Sequence, residues 1–188
     1  AAGNLEQARA KARAMASLRG ELADVAHHEE ARALVGLGRE ADAVGALRLA
    51  CRRSPAPRRS FHQFCLGMAL FFAGDTDGAL ASLERGRRWA HADRPLISGA
   101  LAWVRLASGR AQPRLGAIVT KLSRSGSREG YGQLVLGMIA HHTGDRPRAA
   151  AHLRAFLRRN ARLEPAKELS LRLELREARR VLATLESL

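Results

Sequence analysis

The chain is poor in aromatic residues and in cysteine. Its 188 residues include five phenylalanines, two tryptophans, one tyrosine and two cysteines. The cysteines, Cys51 and Cys65, are too few for a disulfide framework and lack the CxxC spacing of a zinc site, so we expect buried free thiols. No apolar run approaches the ~20 residues that a membrane helix needs, and no basic-then-apolar leader is visible. These absences predict a cytoplasmic protein without a membrane span.

Lysine is also scarce, because only Lys11, Lys121 and Lys167 occur among the 32 basic residues. The remaining basic residues are arginine, a bias typical of a GC-rich, bacterial coding sequence. The formal net charge is +14, and the excess is concentrated between Leu47 and Arg128, where fifteen basic residues accompany four acidic ones. A charge of this size attracts acidic partners but does not indicate a fold.

What the chain does contain is an internal repeat. The segment from Phe61 to Asp75 matches the segment from Tyr131 to Asp145, at an offset of 70 residues. The shared positions are Gln63 and Gln133, Leu66-Gly67-Met68 and Leu136-Gly137-Met138, and Gly74-Asp75 and Gly144-Asp145. Glycines mark half that period, at Gly3, Gly38, Gly74, Gly109 and Gly144, in steps of 35, 36, 35 and 35 residues.

These glycines lie between segments that have the periodicity of short amphipathic helices. Glycine adopts positive φ without a Cβ penalty, so each is predicted to end one helix and turn the chain into the next. Small residues at Gly67, Ala79 and Gly86 would let the paired helices approach closely. A hairpin of this size buries its apolar face only by stacking on a neighbour. We therefore predict an all-α fold, a right-handed α-solenoid of helix-turn-helix repeats.

The pattern resembles the tetratricopeptide repeat family. The resemblance rests on a Leu-Gly pair, a mid-turn glycine, a small residue that opens the second helix, and a bulky residue four positions later. These are Leu66-Gly67, Gly74, Ala79 and Leu83 in one repeat, and Leu136-Gly137, Gly144, Ala149 and Leu153 in another. A third copy departs from the pattern at Arg105 and Arg114, where an aromatic residue and alanine are usual.

The resemblance implies a single solenoid over residues 1–188. It places a partial repeat at 1–20, repeats at about 23–55, 60–91, 95–125 and 130–160, and a capping helix at about 164–187. The residues from Gly3 to Ala8 resemble the turn and second helix of a repeat. We therefore expect the chain to be a segment of a longer array.

In this family the first helices of successive repeats line a concave surface. The resemblance therefore predicts an apolar groove that binds a peptide or helix of another protein. Its residues are Phe61, Phe64, Met68, Phe71, Trp103, Leu106, Tyr131, Leu134, Met138 and His141. The alternative is that these rings pack between helices. The Lys, Arg and Asn set of carboxylate-clamping family members is missing here, so we do not expect such a clamp.

Arginine pairs on the second helices and the loops after them predict a basic surface elsewhere. Its residues are Arg52, Arg53, Arg58, Arg59, Arg85, Arg87, Arg88 and Arg94. Such a surface is most often a solvated face. It also suits an acidic protein partner and, less well, nucleic acid, because the aromatic residues fall on a different face.

The sequence thus favours a protein-binding adaptor or scaffold. The alternatives are a basic module that binds an acidic partner or nucleic acid, and a chaperone for a hydrophobic segment of a secreted protein. No catalytic residue and no cofactor is predicted. The run from Gly36 to Ala41 matches a dinucleotide-binding glycine pattern but follows a helical segment instead of a strand. In His27-His28 and in His141-His142, the two adjacent side chains of each pair point about 100° apart on a helix. Neither pair can therefore present both rings to one metal ion.

Overall fold

The computed structural model describes residues 2–18 and 20–187, and within them it is built of helices with no strand. The all-α prediction is therefore confirmed. The helices are α1 (Ala2–Ser17), α2 (Ala23–Gly36), α3 (Glu40–Arg53), α4 (Arg59–Phe72), α5 (Thr76–Trp89), α6 (Arg94–Ala107), α7 (Leu115–Ser123), α8 (Tyr131–His142), α9 (Arg146–Arg159), α10 (Pro165–Ser170) and α11 (Arg172–Glu186). Two 3-10 turns, Ala56–Arg58 and Gly126–Glu129, precede α4 and α8.

The helices form two compact units, one ending at Trp89 and one beginning at Ala90. In the first unit, α1 packs on α2, α2 on α3, α3 on α4, and α4 on α5. In the second, α6 packs on α7 and α8, α8 packs on α9, and α9 packs on α11. Neighbours in sequence are thus neighbours in space within each unit. The single solenoid over residues 1–188 stays a prediction.

Four of the five periodic glycines have the backbone conformation that their spacing predicts. The φ angles are +74° at Gly38, +87° at Gly74, +70° at Gly109 and +80° at Gly144. The amide after each glycine closes the turn on a carbonyl five residues back. Asp75 donates to the Leu70 carbonyl at 2.9 Å, and Asp145 donates to the Ala140 carbonyl at 2.9 Å. This is the Schellman arrangement, in which the left-handed residue favours glycine.

The turn predicted at Gly3 is wrong, because Gly3 lies inside α1 (Ala2–Ser17). Glycine is tolerated there since the amides of the first helical turn have no intrahelical acceptor to lose. The capping helix expected at about 164–187 is divided into α10 and α11, which meet at Leu171.

Close helix approach occurs where the repeat places glycine. A Cβ on Gly67 of α4 would lie 2.6 Å from Leu83 Cγ of α5, and a Cβ on Gly137 of α8 would lie 2.9 Å from Leu153 Cγ of α9. The leucines of both pairs are completely buried, as is Ala79. The 70-residue self-match therefore reflects the same packing contact, made once in each unit.

Polar contacts repeat at the same offset. The Ser82 hydroxyl donates to Gln63 Oε1 at 2.7 Å, joining α5 to α4. Seventy residues later, His152 Nδ1 lies 2.7 Å from Gln133 Oε1, joining α9 to α8. Each glutamine thus fixes the register of its own helix pair.

Candidate partner-binding site

An apolar side chain is left at the surface where α4 passes α2. The Phe61 side chain is 50 % exposed. Phe61 belongs to the first helix of its repeat, where the groove was predicted. Its ring lies 5.2 Å from the ring of His28 on α2, at a tilt of 41°. Phe64 and Phe71, on the same side of α4, are half-buried. The first unit therefore presents an aromatic surface on α4, whose most exposed ring, Phe61, lies beside α2.

Further exposed apolar residues lie where the chain passes from α1 to α2. Met15, Leu18 and Leu22 are 45 %, 78 % and 54 % exposed. The Arg58 guanidinium donates to the carbonyl of Glu21 at 3.1 Å, so the start of α4 lies against the start of α2. Leu22 is thus brought to the same end of the unit as Phe61.

A buried polar cluster supports this surface from below. Asp24 of α2 and His62 of α4 are each 1 % exposed, and His62 Nε2 lies 2.9 Å from Asp24 Oδ2. Arg58 donates to both carboxylate oxygens of Asp24, at 2.7 Å from Nε and 2.9 Å from Nη2. Such bidentate charge-assisted pairs are strong and directional. The cluster holds α2 against α4 at the height of Phe61.

Burial and the cluster together set the protonation states of Asp24 and His28. The Arg58 guanidinium, together with His62, holds the pKa of Asp24 at about 2, against the opposing effect of burial. Burial, together with the nearby His62, lowers the pKa of His28 to about 4. The imidazole beside Phe61 is therefore neutral at pH 7 and places no charge next to the exposed ring.

Sequence reasoning missed Asp24 and His62 and assigned Arg58 to the basic surface. The available signal was their separation, since Asp24 lies 34 residues before Arg58 and 38 residues before His62. Such separations are close to one repeat, and residues one repeat apart are brought together by stacking. Arg58 is therefore an ion-pair partner of Asp24, and its assignment to the basic surface is corrected.

Four residues of the predicted groove lie in the core. Met68, Trp103 and Met138 are 2 %, 0 % and 1 % exposed, and Leu134 is also buried. Met68 follows Phe61 by two turns of α4, yet it is covered, because burial depends on the neighbouring helix as well as on the face. A covered side chain does not contact a partner, so these positions are corrected from groove to core. Leu106 is half-buried on α6.

Two other groove residues contact the last helix of the second unit. The Tyr131 hydroxyl of α8 donates to Glu174 Oε1 of α11 at 3.0 Å. His141, near the end of α8, is half-buried and lies close enough to Glu177 and Arg180 of α11 for their charges to affect its pKa. This side of α8 is thus covered by α11 over part of its length, and the aromatic surface of α4 has no exposed counterpart on it.

Glu174 is a buried acid. Burial raises its pKa to about 7, and the hydrogen bond from Tyr131 opposes that rise only in part. Glu177, three residues later, behaves in the opposite way, because its ion pair with Arg180 at 2.7 Å lowers its pKa.

The predicted basic residues have different roles in the structure. Arg52, Arg53, Arg85, Arg87 and Arg88 are exposed on α3 and α5, and Arg94 is exposed in the second unit. Arg59 is half-buried, with its guanidinium 4.7 Å from the centre of the Trp89 ring. The exposed members of the predicted basic surface in the first unit are thus on α3 and α5.

Within residues 2–18 and 20–187, no group of three or more His, Cys, Asp or Glu side chains is arranged to hold a metal ion. Neither cysteine forms a disulfide within the described residues, and both thiols, expected to be buried, are half-buried.

Among the described helices, none combines the length and the apolar character needed to cross a membrane.

Comparisons of the chain with protein-family models, with curated proteins and with solved structures found no match.

Proposed function

We propose that the protein is a tetratricopeptide-like helical repeat adaptor that binds a peptide or helix of another protein on the aromatic surface of α4. The observation that carries the proposal is the half-exposed Phe61 ring, held beside the neutral His28 by the buried Asp24 cluster. Exposed apolar patches on rigid helices are typical of protein-binding sites.

The repeat geometry supports the architectural part of the proposal. Four turns share a positive-φ glycine at steps of 36, 35 and 35 residues. Helices α2 to α5 pack consecutively within the first unit. A short turn of constant geometry that recurs at this spacing is typical of stacked helical repeats.

The site supports the binding part. The Phe61 ring has ordered neighbours on one side and solvent on the other, so a partner gains contact area without having to order the ring. Phe64 and Phe71 extend the surface along α4, and Leu22 is exposed next to Glu21, whose carbonyl accepts from Arg58. An apolar peptide side chain, or the apolar face of an amphipathic helix, fits such a surface.

The proposal is tested by selecting binding peptides from a displayed library and measuring their affinity for two variants. Phe61→Ala is expected to weaken a selected peptide about fivefold, because burying the exposed half of a phenylalanine contributes about 1 kcal/mol. Trp89→Ala is the matched control. Trp89 is 49 % exposed, and it packs on Arg59, which points to the opposite side of α4 from Phe61.

Binding to the Trp89→Ala variant is expected to stay within about twofold of the parent protein. The melting temperatures of both variants should change by only a few degrees, because both rings are half outside the core. Equal affinity of the selected peptides for the parent protein and Phe61→Ala would rule out this surface as the site.

A further inference from the structure

The outer sides of α3 and α5 carry arginines that have no carboxylate partner. Arg48 and Arg52 are exposed on α3, and Arg85 and Arg88 are exposed on α5. None of these four forms an ion pair with any part of the chain that the structure describes. Arg87, between them on α5, is instead paired with Glu84 at 2.8 Å. We refer to the four unpaired residues as the α3–α5 arginines.

Arginines from both helices lie around one side chain. Cys51 is half-buried on α3, and burial raises the pKa of its thiol to about 11. Arg85 of α5 and Arg52 of α3 both oppose that rise, so both guanidinium groups lie within electrostatic reach of the same sulfur. Arg85 Nε also lies 3.4 Å from Gln63 Oε1, which places its side chain towards α4. Arg52 and Arg85 therefore lie near the same side chain, with Arg48 one turn before Arg52 on α3 and Arg88 nearly one turn after Arg85 on α5.

The spacing of these arginines matches a helical ligand. Residues four apart in a helix are separated by about 6 Å along its axis, which is the relation between Arg48 and Arg52. Glutamates four apart on a partner helix have the same separation. Each guanidinium presents a fork of donors that matches one carboxylate.

We propose that the α3–α5 arginines bind an acidic helical segment of a partner protein. This interaction goes beyond the apolar site on α4 and uses a different side of the same unit. Single-stranded nucleic acid suits the surface less well, because it requires open aromatic faces for base stacking. The nearest half-exposed ring, Trp89, has the Arg59 guanidinium over one face.

The probe is a fluorescein-labelled, alanine-rich helical peptide of about 20 residues with glutamates four apart, a length that supports helix formation in water. Its twin carries glutamine in place of glutamate, and a single-stranded DNA oligonucleotide of equal charge serves as the polyanion. Fluorescence anisotropy at ~50 mM salt measures binding to the whole chain, since exposed charges are screened at higher salt.

The double variant Arg52→Gln/Arg85→Gln is compared with the control double variant Arg32→Gln/Arg87→Gln. The control removes the same charge from arginines that pair with their own helix, at 2.7 Å in Arg32–Glu29.

The glutamate peptide is expected to bind and the glutamine peptide not to bind. Arg52→Gln/Arg85→Gln should weaken binding about tenfold, from two exposed charge contacts, and the control about twofold or less. Phe61→Ala should leave this binding unchanged, which separates it from the site on α4. Equal losses in the two double variants, no binding at ~50 mM salt, or tighter binding of the DNA would each overturn the proposal.

Discussion

Replacing the buried acid of α11 tests how the last helix is held on α8. Glu174 is 9 % exposed and accepts a hydrogen bond from the Tyr131 hydroxyl at 3.0 Å. Glu174→Gln keeps the shape of the side chain and an oxygen that accepts this hydrogen bond. The substitution removes only the ability of the side chain to ionise. The pH dependence of the change in the free energy of unfolding therefore reports the cost of burying the charge.

The magnitude follows from the pKa of Glu174, which burial raises from its usual 4.5 to about 7. The folded protein therefore retains a proton between these values that the unfolded chain has lost. Stability then falls as pH rises through this window and is constant above it. At about 1.4 kcal/mol for each pKa unit, the loss amounts to about 3 kcal/mol.

The assay is urea unfolding followed by circular dichroism, from pH 4 to pH 8, on the parent chain and on Glu174→Gln. The two proteins should have similar free energies of unfolding near pH 4, where Glu174 is mostly protonated in both states. Above pH 7 the variant should be more stable by about 3 kcal/mol. Taking the difference removes the contributions of all other titrating groups.

Glu177→Gln provides a control of opposite sign on the same helix. The ion pair with Arg180 lowers the pKa of Glu177, so that carboxylate stabilises the fold above its unfolded pKa and ceases to do so as pH falls. Its removal should cost a few tenths of a kcal/mol at pH 7. A difference between the parent chain and Glu174→Gln that is constant from pH 4 to pH 8 would show that Glu174 does not titrate as its burial requires.

Further predictions concern the turns and the buried cluster of the first unit. Gly74→Ala should destabilise the protein by about 1 kcal/mol, because φ is +87° there, while a Cβ meets no atom within 4 Å. Gly45→Ala, at an open position inside α3, should stabilise the protein by about 0.5–1 kcal/mol in the same urea titration. Equal changes in the free energy of unfolding for Gly74→Ala and Gly45→Ala would refute the assignment of the turn. Asp24→Asn should cost about 2 kcal/mol at pH 7, and the cost should shrink as pH falls from about 4 towards 2, where the parent carboxylate becomes protonated. A cost that persists unchanged at pH 2 would show that the charge of Asp24 is not what holds the cluster.

The helical composition of the fold follows from local properties that a sequence exposes directly. The periodic glycines predict where helices end, because a left-handed backbone position favours glycine whatever surrounds it. The exception, Gly3, shows the limit of that rule, since glycine also occurs in the first turn of a helix. The 70-residue match predicts equivalent contacts, and the pairs Gly67–Leu83 and Gly137–Leu153 are such contacts.

The candidate site could be predicted only in part. The periodicity that places Phe61 on the first helix of its repeat also places Met68 there, yet Phe61 is half exposed and Met68 is 2 % exposed. Helical phase specifies the direction of a side chain relative to its own axis, but burial depends on which other helix covers that direction. For Tyr131 the covering helix is α11, whose Glu174 lies 43 residues further along the chain.

The total charge could be predicted from the sequence, but the ion pairs could not. An excess of arginine between Leu47 and Arg128 is visible in the sequence and predicts attraction to acidic partners. Arg58 and Arg52 are indistinguishable there, since both belong to arginine pairs on or near second helices. In the fold, Arg58 is bound to Asp24, 34 residues before it, and Arg52 has no carboxylate partner among the described residues.

The sequence by itself therefore determined that the chain is helical, where four of its turns lie and what its total charge is, because these depend on local backbone preference and composition. Only the tertiary structure decided which rings and which arginines face solvent, because exposure and ion pairing depend on residues one or more repeats away.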